Sequence, residues 1–242
     1  MIVGVMSAMA EELAAVVSSL PPHEVHKIAG RTFHVVRRGE RTTIYVVSRI
    51  GKVAAATTAT LLVERFRVGA VLFTGLAGAV DPGLAVGDVV VADRLLQHDL
   101  DVRPLFRRYE VPMLGTTTFA TDPRWSERLA GAADGFAGQV PMPLRAMGIV
   151  APRVVRGLIV SGDRFLASTE AVSTLRRELP EALAVEMEGA AVAQVCHEVG
   201  VPCAVARVIS DTADHAAAGD FGRFLTTACG PYAQALAAAA WG

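Results

Sequence analysis

Cysteine is scarce in this 242-residue sequence, and the few cysteines do not form the pattern of a disulfide framework or a metal site. The three, Cys196, Cys203 and Cys229, include no CxxC pair. An odd number without paired spacing argues against structural zinc and against the disulfide scaffolds of small secreted domains. We therefore expect three buried thiols that serve packing.

An excess of either charge is also absent. The 23 Lys and Arg residues are balanced by 24 Asp and Glu residues, so the formal net charge is -1. Nucleic-acid and anionic-membrane binders usually carry a basic patch, and we expect neither partner. No apolar run approaches the roughly 20 residues that span a bilayer. The N-terminal MIVGVMSAMAEEL lacks the basic start of a signal peptide, and we expect a soluble, cytoplasmic protein.

Apolar residues are abundant, at 52% of the chain, which is enough for a sizeable core. Short β-branched runs such as AVLFTG alternate with helical stretches such as KVAAATTATLLVERF. This alternation predicts one α/β domain over residues 1–242, with a mixed, mostly parallel central sheet flanked by helices. FHVVRR and TTIYVVSRI predict a paired hairpin, and a C-terminal helix is predicted from about Phe221. Residues 100–150 have the weakest periodicity and predict an irregular surface excursion that could serve as a lid.

Polar groups follow several predicted strands. Ligands of open α/β sheets bind outside the carboxyl ends of the strands, so these positions predict a site. The first strand leads to Glu11 and Glu12, and AVLFTG leads to a glycine-rich turn at Gly75–Gly78. The later strands lead to Ser161-Gly162-Asp163, Glu186-Met187-Glu188 and Ser210-Asp211.

Each acid also has a purely structural interpretation. Glu188 precedes an Ala-rich helix and could serve as its N-terminal acid, whereas Glu186, two positions earlier, is less typical of a cap. Glu12 could be an ordinary first-turn acid, and Asp211 could cap the segment after its strand. Arg207 lies within a strand, where an unpaired cation is costly, so an ion pair with one of these acids is expected.

Three other patterns carry little functional weight. The Gly75–Gly78 segment has neither GxGxxG nor the Lys-Ser/Thr of a P-loop. The HDLD segment at 98–101 has one histidine and two acids, too few to predict a metal site. The adjacent pair Cys196-His197 has no triad-like order around it, so a nucleophilic thiol is not expected.

Eight segments, in order and at similar spacing, resemble the purine nucleosidase and phosphorylase superfamily, and most of all its methylthioadenosine/S-adenosylhomocysteine nucleosidases. They are SAMAEEL, RIGKVAAATTATLL, TGLAGAV, GDVVVAD, HDLDV, VSGDRF, AVEMEGAAVAQVCH and VARVISDTAD. The resemblance implies a three-layer, nucleoside phosphorylase-like fold and hydrolysis of an N-glycosidic bond with release of adenine. It implies a nucleoside substrate, a homodimer, and no cofactor or metal.

The resemblance also implies roles for three acids. Glu12 matches the glutamate that activates the attacking water, and Glu188 matches the acid that binds the ribose hydroxyls. Asp211 matches the residue that recognises adenine and protonates or hydrogen-bonds its N7. Asp211 would then carry a proton at neutral pH, a form that burial at a closed site favours.

Further positions match the substrate-binding set. Phe165 matches the ring that stacks on adenine, Met187 lies against the sugar, and Phe221 forms the wall near the 5′ substituent. Arg207 and Ser210 match groups that orient the aspartate. The remaining matches are Leu166, whose backbone reads the base edge, the supporting acid Glu186, and Ile50, Leu76, Ala77 and Gly78.

Two departures from the family pattern concern the sugar and the 5′ end. Leu76 stands where many members have a serine, which removes one hydroxyl near the ribose. In relatives the segment that begins at HDLDV reaches over the neighbouring subunit's site. Val102, Phe106 and Pro112 are the candidates for this partner pocket, and Leu105 competes with Phe106 for the aromatic position.

Three alternatives to this function stay open at the level of sequence. A phosphorylase needs a cationic phosphate site, but the SAMAEEL loop offers two carboxylates and no arginine, so hydrolysis is preferred. A nucleosidase for futalosine-type or other 5′-modified substrates would share the core acids and differ at the 5′ pocket. A non-catalytic adenosine-binding module would bind such ligands without releasing adenine.

Overall fold

The computed structural model describes residues 1–213 and 216–241, and the strands of these residues form one mixed sheet. The strands are β1 (Ile2–Ser7), β2 (Glu24–Ile28), β3 (Arg31–Arg38), β4 (Arg41–Val47), β5 (Ala70–Ala79), β6 (Val89–Gln97), β7 (Phe119–Ala120), β8 (Val154–Ser161), β9 (Ala182–Glu186) and β10 (Cys203–Asp211). The helices are α1 (Ala10–Ser18), α2 (Lys52–Phe66), α3 (Pro123–Ala137), α4 (Met142–Ala146), α5 (Thr169–Glu178), α6 (Gly189–Val199), α7 (Ala217–Thr227) and α8 (Cys229–Ala237), followed by a 3₁₀ turn at Ala238–Ala240. Asp214, at the end of the VARVISDTAD segment, lies outside the described residues.

The sheet closes on itself at one end. Its order is β10-β6-β8-β9-β5-β1-β4-β3-β2, with β7 beside β6, and β10 also pairs with β5. The strands β5, β10, β6, β8 and β9 therefore form a ring. The predicted mixed, mostly parallel sheet is confirmed, because the parallel ladders pair more residues than the antiparallel ones. The parallel pairs are β1–β4, β1–β5, β10–β5, β6–β8 and β8–β9. The antiparallel pairs are β10–β6, β2–β3, β3–β4, β5–β9 and β6–β7.

Helices cover both faces of the sheet, which gives the expected three layers. One buried cluster joins Leu72 of β5 to Leu129 of α3 and Tyr232 of α8. The other joins the neighbouring Phe73 of β5 to Leu62 of α2. Because alternate residues of one strand enter opposite cores, the strands are apolar on both sides. No helix within the described ranges is both long and apolar enough to span a membrane.

Three parts of the chain differ from the sequence-based expectation. Gly75–Gly78 is not a turn but the second half of β5, held extended by pairing with β10 and β9. Residues 100–150, expected to be irregular, contain β7, α3 and α4, and α3 buries Trp125 and Leu129. Strand β2 was not predicted, and its side chains are mostly exposed.

Candidate active site

A cavity of about 340 Å³ opens where the carboxyl ends of β1, β5, β9 and β10 meet. The cavity contains most of the residues predicted from the sequence: Glu12, Ile50, Leu76, Ala77, Gly78, Phe165, Leu166, Glu186, Met187, Glu188, Asp211 and Phe221. It is also lined by four that were not predicted: Ala8, Met9, Arg164 and Val185. The predicted Arg207 and Ser210 lie directly behind this lining and are fully buried.

Glu12 is held at the start of α1 by backbone donors. Its Oε2 atom accepts N–H bonds from Ala8 (2.8 Å) and Met9 (3.0 Å), and its Oε1 atom accepts one from Leu76 (3.1 Å). Burial raises the pKa of Glu12, although these N–H groups and the Arg207 cation oppose the rise. A carboxylate whose pKa is raised in this way is suited to accept a proton near neutral pH. Glu12 is therefore both the first-turn acid of α1 and a candidate base.

Glu186 lines the cavity, but its carboxylate is held by donors of the protein itself. Arg207 donates to its Oε2 atom from Nη2 (2.6 Å) and Nε (3.2 Å), which confirms the expected ion pair. The Ser161 hydroxyl and the Gly189 N–H (2.8 Å) also donate to this carboxylate. The Arg207 guanidinium lies 4.1 Å from the centroid of the Phe73 ring. With these donors around it, Glu186 caps α6 and leaves ligand contacts to its neighbours.

Glu188 does not cap the helix that it precedes. It precedes α6 but makes no side-chain cap; its Oε1 atom instead accepts the Gly51 N–H across the cavity wall (2.9 Å). Its Oε2 atom lies 4.0 Å from Nη2 of Arg207. Burial and the charge of Glu186 raise the pKa of Glu188 to about 8, against the lowering by Arg207 and Gly51. The capping interpretation therefore applies to Glu186 and is wrong for Glu188.

Asp211 lines the cavity at the end of β10. The Ser210 hydroxyl donates to its Oδ2 atom (2.7 Å), and the Ala213 N–H donates to Oδ1 (2.8 Å). A bulge between Ile209 and Asp211 shifts the β10–β5 register so that Asp211 pairs with Gly78. Asp211 is almost fully buried, so bulk water would not compete in a proton transfer between Asp211 and a ligand in the cavity. Ser210 therefore makes the orienting contact that the resemblance implied, whereas Arg207, expected to share this role, donates to Glu186 instead.

Aromatic rings form the outer wall. Phe165 and Phe221 meet edge to face, with centroids 5.8 Å apart. Phe165 is 48% exposed, so a ligand ring could cover apolar surface that now faces solvent.

The residues predicted for a partner pocket lie outside this cavity. Val102, Phe106 and Pro112 belong to the loop between β6 and β7, where Leu105 and Met113 are 81% and 90% exposed. Phe106 lines a separate shallow depression with Arg103 and Glu110. Within one chain these residues do not contribute to the cavity, and the cross-subunit assignment stays a prediction.

Sequence reasoning missed the backbone of Gly51, which donates to Glu188. Its φ of +97° lies in the region that only glycine adopts easily, and an added Cβ would lie 3.3 Å from Oδ1 of Asp163. The GKV tripeptide before a helical pattern was a usable signal. The first turn of α2 contains no acid that could accept its N–H groups. These donors are therefore left for carboxylates from other parts of the chain.

Comparison with known proteins gives a consistent set of relatives. The sequence pattern of the Phosphorylase superfamily matches residues 2–240. A 5′-methylthioadenosine/S-adenosylhomocysteine nucleosidase of Actinobacillus succinogenes is 37% identical over 230 residues, covering 93% of this chain and 92% of that protein.

Solved structures of related enzymes also match this chain. The nucleosidase of the same description from Neisseria meningitidis, in complex with methylthio-immucillin-A, superposes with a TM-score of 0.88 and 34% identity, covering 99% of this chain and 98% of that one. The futalosine hydrolase of Helicobacter pylori superposes with a TM-score of 0.85 and 32% identity, covering 98% and 96%.

Proposed function

The chain belongs to the phosphorylase superfamily, and on that premise we propose that it hydrolyses the N-glycosidic bond of 5′-methylthioadenosine, S-adenosylhomocysteine or both, releasing adenine. The observation that carries this proposal is the arrangement of three buried carboxyl groups around one cavity. Glu12, Glu188 and Asp211 all line this cavity together with Phe165 and Phe221, and Glu12 lies near enough to Glu188 for its charge to raise the pKa of Glu188. Breakage of the bond puts positive charge on the ribose and negative charge on the leaving purine, and this arrangement meets both.

Glu12 activates the attacking water. Its Oε1 atom accepts one bond, from Leu76, and can accept another from a water molecule in the cavity. As water adds to the anomeric carbon, its proton passes to the Glu12 carboxylate. The contact of Leu76 with Glu12 uses its backbone N–H, so the missing serine hydroxyl leaves this support of the base intact.

Glu188 binds the sugar. In the free protein its pKa of about 8 favours the protonated form at neutral pH. Ribose hydroxyls that donate to the carboxylate favour its ionised form. The resulting negative charge stabilises the cationic ribosyl group of the transition state, where the surroundings exclude water.

Asp211 serves the leaving base. Its carboxyl group gives a proton to N7 of the purine, so the base leaves as neutral adenine rather than as an anion. Proton donation of this kind typically contributes about 10²–10⁴-fold to the rate. Ser210 and Ala213 hold the carboxyl group in position for this transfer.

Hydrolysis is favoured over phosphorolysis by the charges around the sugar. Arg207 is enclosed by Glu186 and the Phe73 ring and is not available to a phosphate. Among the described residues that line the cavity, the remaining cation is Arg164, which belongs to the segment of the base-stacking Phe165. The loop after β1 supplies Glu12 at the sugar, and its charge would repel phosphate.

The 5′ substituent is the open part of the substrate. The futalosine hydrolase of Helicobacter pylori has the same TM-score, 0.85, as several nucleosidase structures, so the fold alone does not separate these activities. A nucleosidase for a futalosine-type or another 5′-modified substrate is therefore the second candidate. Competition assays with these nucleosides at equal concentration would rank them.

We also propose that the protein is a cytoplasmic homodimer in which Val102, Phe106 and Pro112 complete the 5′ pocket of the partner. The exposed Leu105 and Met113 on the same loop support an apolar contact. Light scattering should give twice the chain mass, and a monomer at assay concentration would contradict this shared pocket.

The deciding experiment follows adenine and sugar release from methylthioadenosine, with and without phosphate. Adenine and free methylthioribose without phosphate would establish the hydrolase. Release only with phosphate would make the protein a phosphorylase, and binding without release would make it a binding module. Glu188→Gln serves as the inactive variant, and Glu11→Gln, which changes an exposed glutamate of α1, is its matched control.

A further inference from the structure

The HDLD segment, which the proposed chemistry does not use, takes part in a polar network beside the cavity. Lys52 Nζ donates to Oδ1 of Asp99 (2.6 Å), and the Asp163 N–H donates to Oδ2 of the same carboxylate (2.8 Å). The Lys52 N–H in turn donates to Oδ1 of Asp163 (2.9 Å). Three segments, following β4, β6 and β8, are joined in this way at the carboxyl ends of their strands.

The network adjoins the contact between α2 and Glu188. Asp163 accepts the N–H of Lys52, the first residue of α2, and Glu188 accepts the N–H of Gly51 immediately before it. Two carboxylates therefore share the N-terminus of one helix, where unpaired N–H groups and the helix dipole favour negative charge. A shift of α2 that breaks the first bond also displaces the second.

The turn that carries Asp163 is firmly packed. The Gly162 N–H donates to the Glu186 carbonyl (3.1 Å), and the His98 N–H donates to the Ser161 carbonyl (2.9 Å). The His98 ring lies against Gly162 so closely that a Cβ there would collide with it. Asp163 is thus a fixed point against which the start of α2 is placed.

Thermodynamic stability is a poor explanation for the presence of the Asp163 carboxylate in this network. The side chain of Asp163 is 49% exposed, and ion pairs of that exposure contribute about 0–1 kcal/mol. We propose that Asp163, supported by Lys52 and Asp99, is a positioning residue: it holds the start of α2 so that the Gly51 N–H stays bonded to Glu188. The inference rests on the proposed function of Glu188 at the sugar.

The expected effect follows from the groups that face Glu188. Arg207 of β10 and the Gly51 N–H favour its ionised form, whereas Glu186 of β9 and Glu12 of α1 disfavour it. When the Gly51 contact is lost, only Arg207 still counters the negative charges of Glu186 and Glu12, so the pKa of Glu188 rises further. A larger fraction of the enzyme is then protonated at neutral pH and binds ribose hydroxyls less well.

The test compares Asp163→Ala with Asp163→Asn, which keeps an oxygen that can accept the Lys52 N–H. For Asp163→Ala the acid limb of the kcat/KM profile with methylthioadenosine should move about one pH unit upward, and kcat/KM at neutral pH should fall about tenfold. Asp163→Asn should restore most of this loss. Asp122→Ala, which removes a similar carboxylate cap from α3, should lower the Tm and leave the profile in place.

A second readout needs no turnover. Carbon-13 NMR of protein labelled at the glutamate carboxyl groups, with the Glu188→Gln variant to identify the resonance, gives the titration midpoint of Glu188 directly. A midpoint raised in Asp163→Ala supports the proposal even if methylthioadenosine is not a substrate. An unchanged midpoint overturns it, as does a kcat/KM profile identical to that of the unmodified protein. Absence of adenine release from the unmodified protein counts against the proposed function alone.

Discussion

Replacing Glu188 by Gln should abolish activity and also stabilise the protein at neutral pH. The pKa of this carboxyl is about 8 in the folded protein and returns to about 4.5 in the unfolded chain. Between these values the folded state holds a proton that the unfolded state releases, so stability falls as pH rises. Each pH unit corresponds to about 1.36 kcal/mol, which makes the loss about 3 kcal/mol at pH 7. Glutamine, which is never ionised, removes this loss.

The assay is urea unfolding of both proteins from about pH 4.5 to about pH 8, at one protein concentration. The free energies of unfolding of the two proteins should nearly coincide at the acid end. As pH increases, the variant should become steadily more stable than the unmodified protein. Glu11→Gln, on the exposed face of α1, controls for the loss of one negative charge. A stability difference that does not change with pH would refute the reasoning, because it would mean that Glu188 titrates alike in both states.

Three further substitutions test other parts of the site. Asp211→Asn should lower the rate of adenine release, measured by chromatography, by about 10²–10⁴-fold. A non-hydrolysable analogue should still bind to this variant in calorimetry. Arg207→Met leaves its buried carboxylate partner without a cation and should lower the free energy of unfolding in urea by about 3–5 kcal/mol; unchanged stability would contradict the ion pair. Gly75→Ala would place a Cβ 2.9 Å from Oε1 of Glu12, so kcat should fall, whereas Gly131→Ala, at an open position of α3, should leave kcat unchanged.

Local patterns in the sequence predicted much of the fold. The apolar spacing of KVAAATTATLLVERF predicted α2 with the bounds it has, Lys52–Phe66. The hairpin of β3 and β4 was predicted with its connection at Gly39-Glu40. Polar residues after strands predicted that Glu12, Glu188 and Asp211 converge. β1 and β10 run parallel to β5 and bring Glu12 and Asp211 to one edge, whereas β9 runs antiparallel to β5 and pairs with it only where both strands end.

Two predictions were wrong because the local structure depends on residues distant in the sequence. A run with Gly75 and Gly78 has low strand propensity, and only pairing with β10 and β9 keeps it extended. Whether Glu186 or Glu188 caps α6 depends on Arg207, which attracts the first carboxylate, and on Gly51, which attracts the second. Local spacing contains neither fact.

The α3 helix was missed for a different reason. The N-cap at Asp122 and the proline after it were present in the sequence, and Trp125 and Leu129 have helical spacing. Alanine and glycine between them dilute the apolar pattern, so the segment resembles a loop by periodicity alone. The cap residues would have been the better guide.

The position of β10 has a consequence for protein synthesis. This strand follows the other nine described strands in the chain, yet it lies between β5 and β6. A nascent chain that has not yet released residues 203–211 leaves the facing edges of β5 and β6 unpaired, and such edges invite aggregation. The same chain lacks both Arg207 and Asp211. The ribosome therefore carries an intermediate that needs protection and has no means of cleaving nucleosides until its central strand arrives.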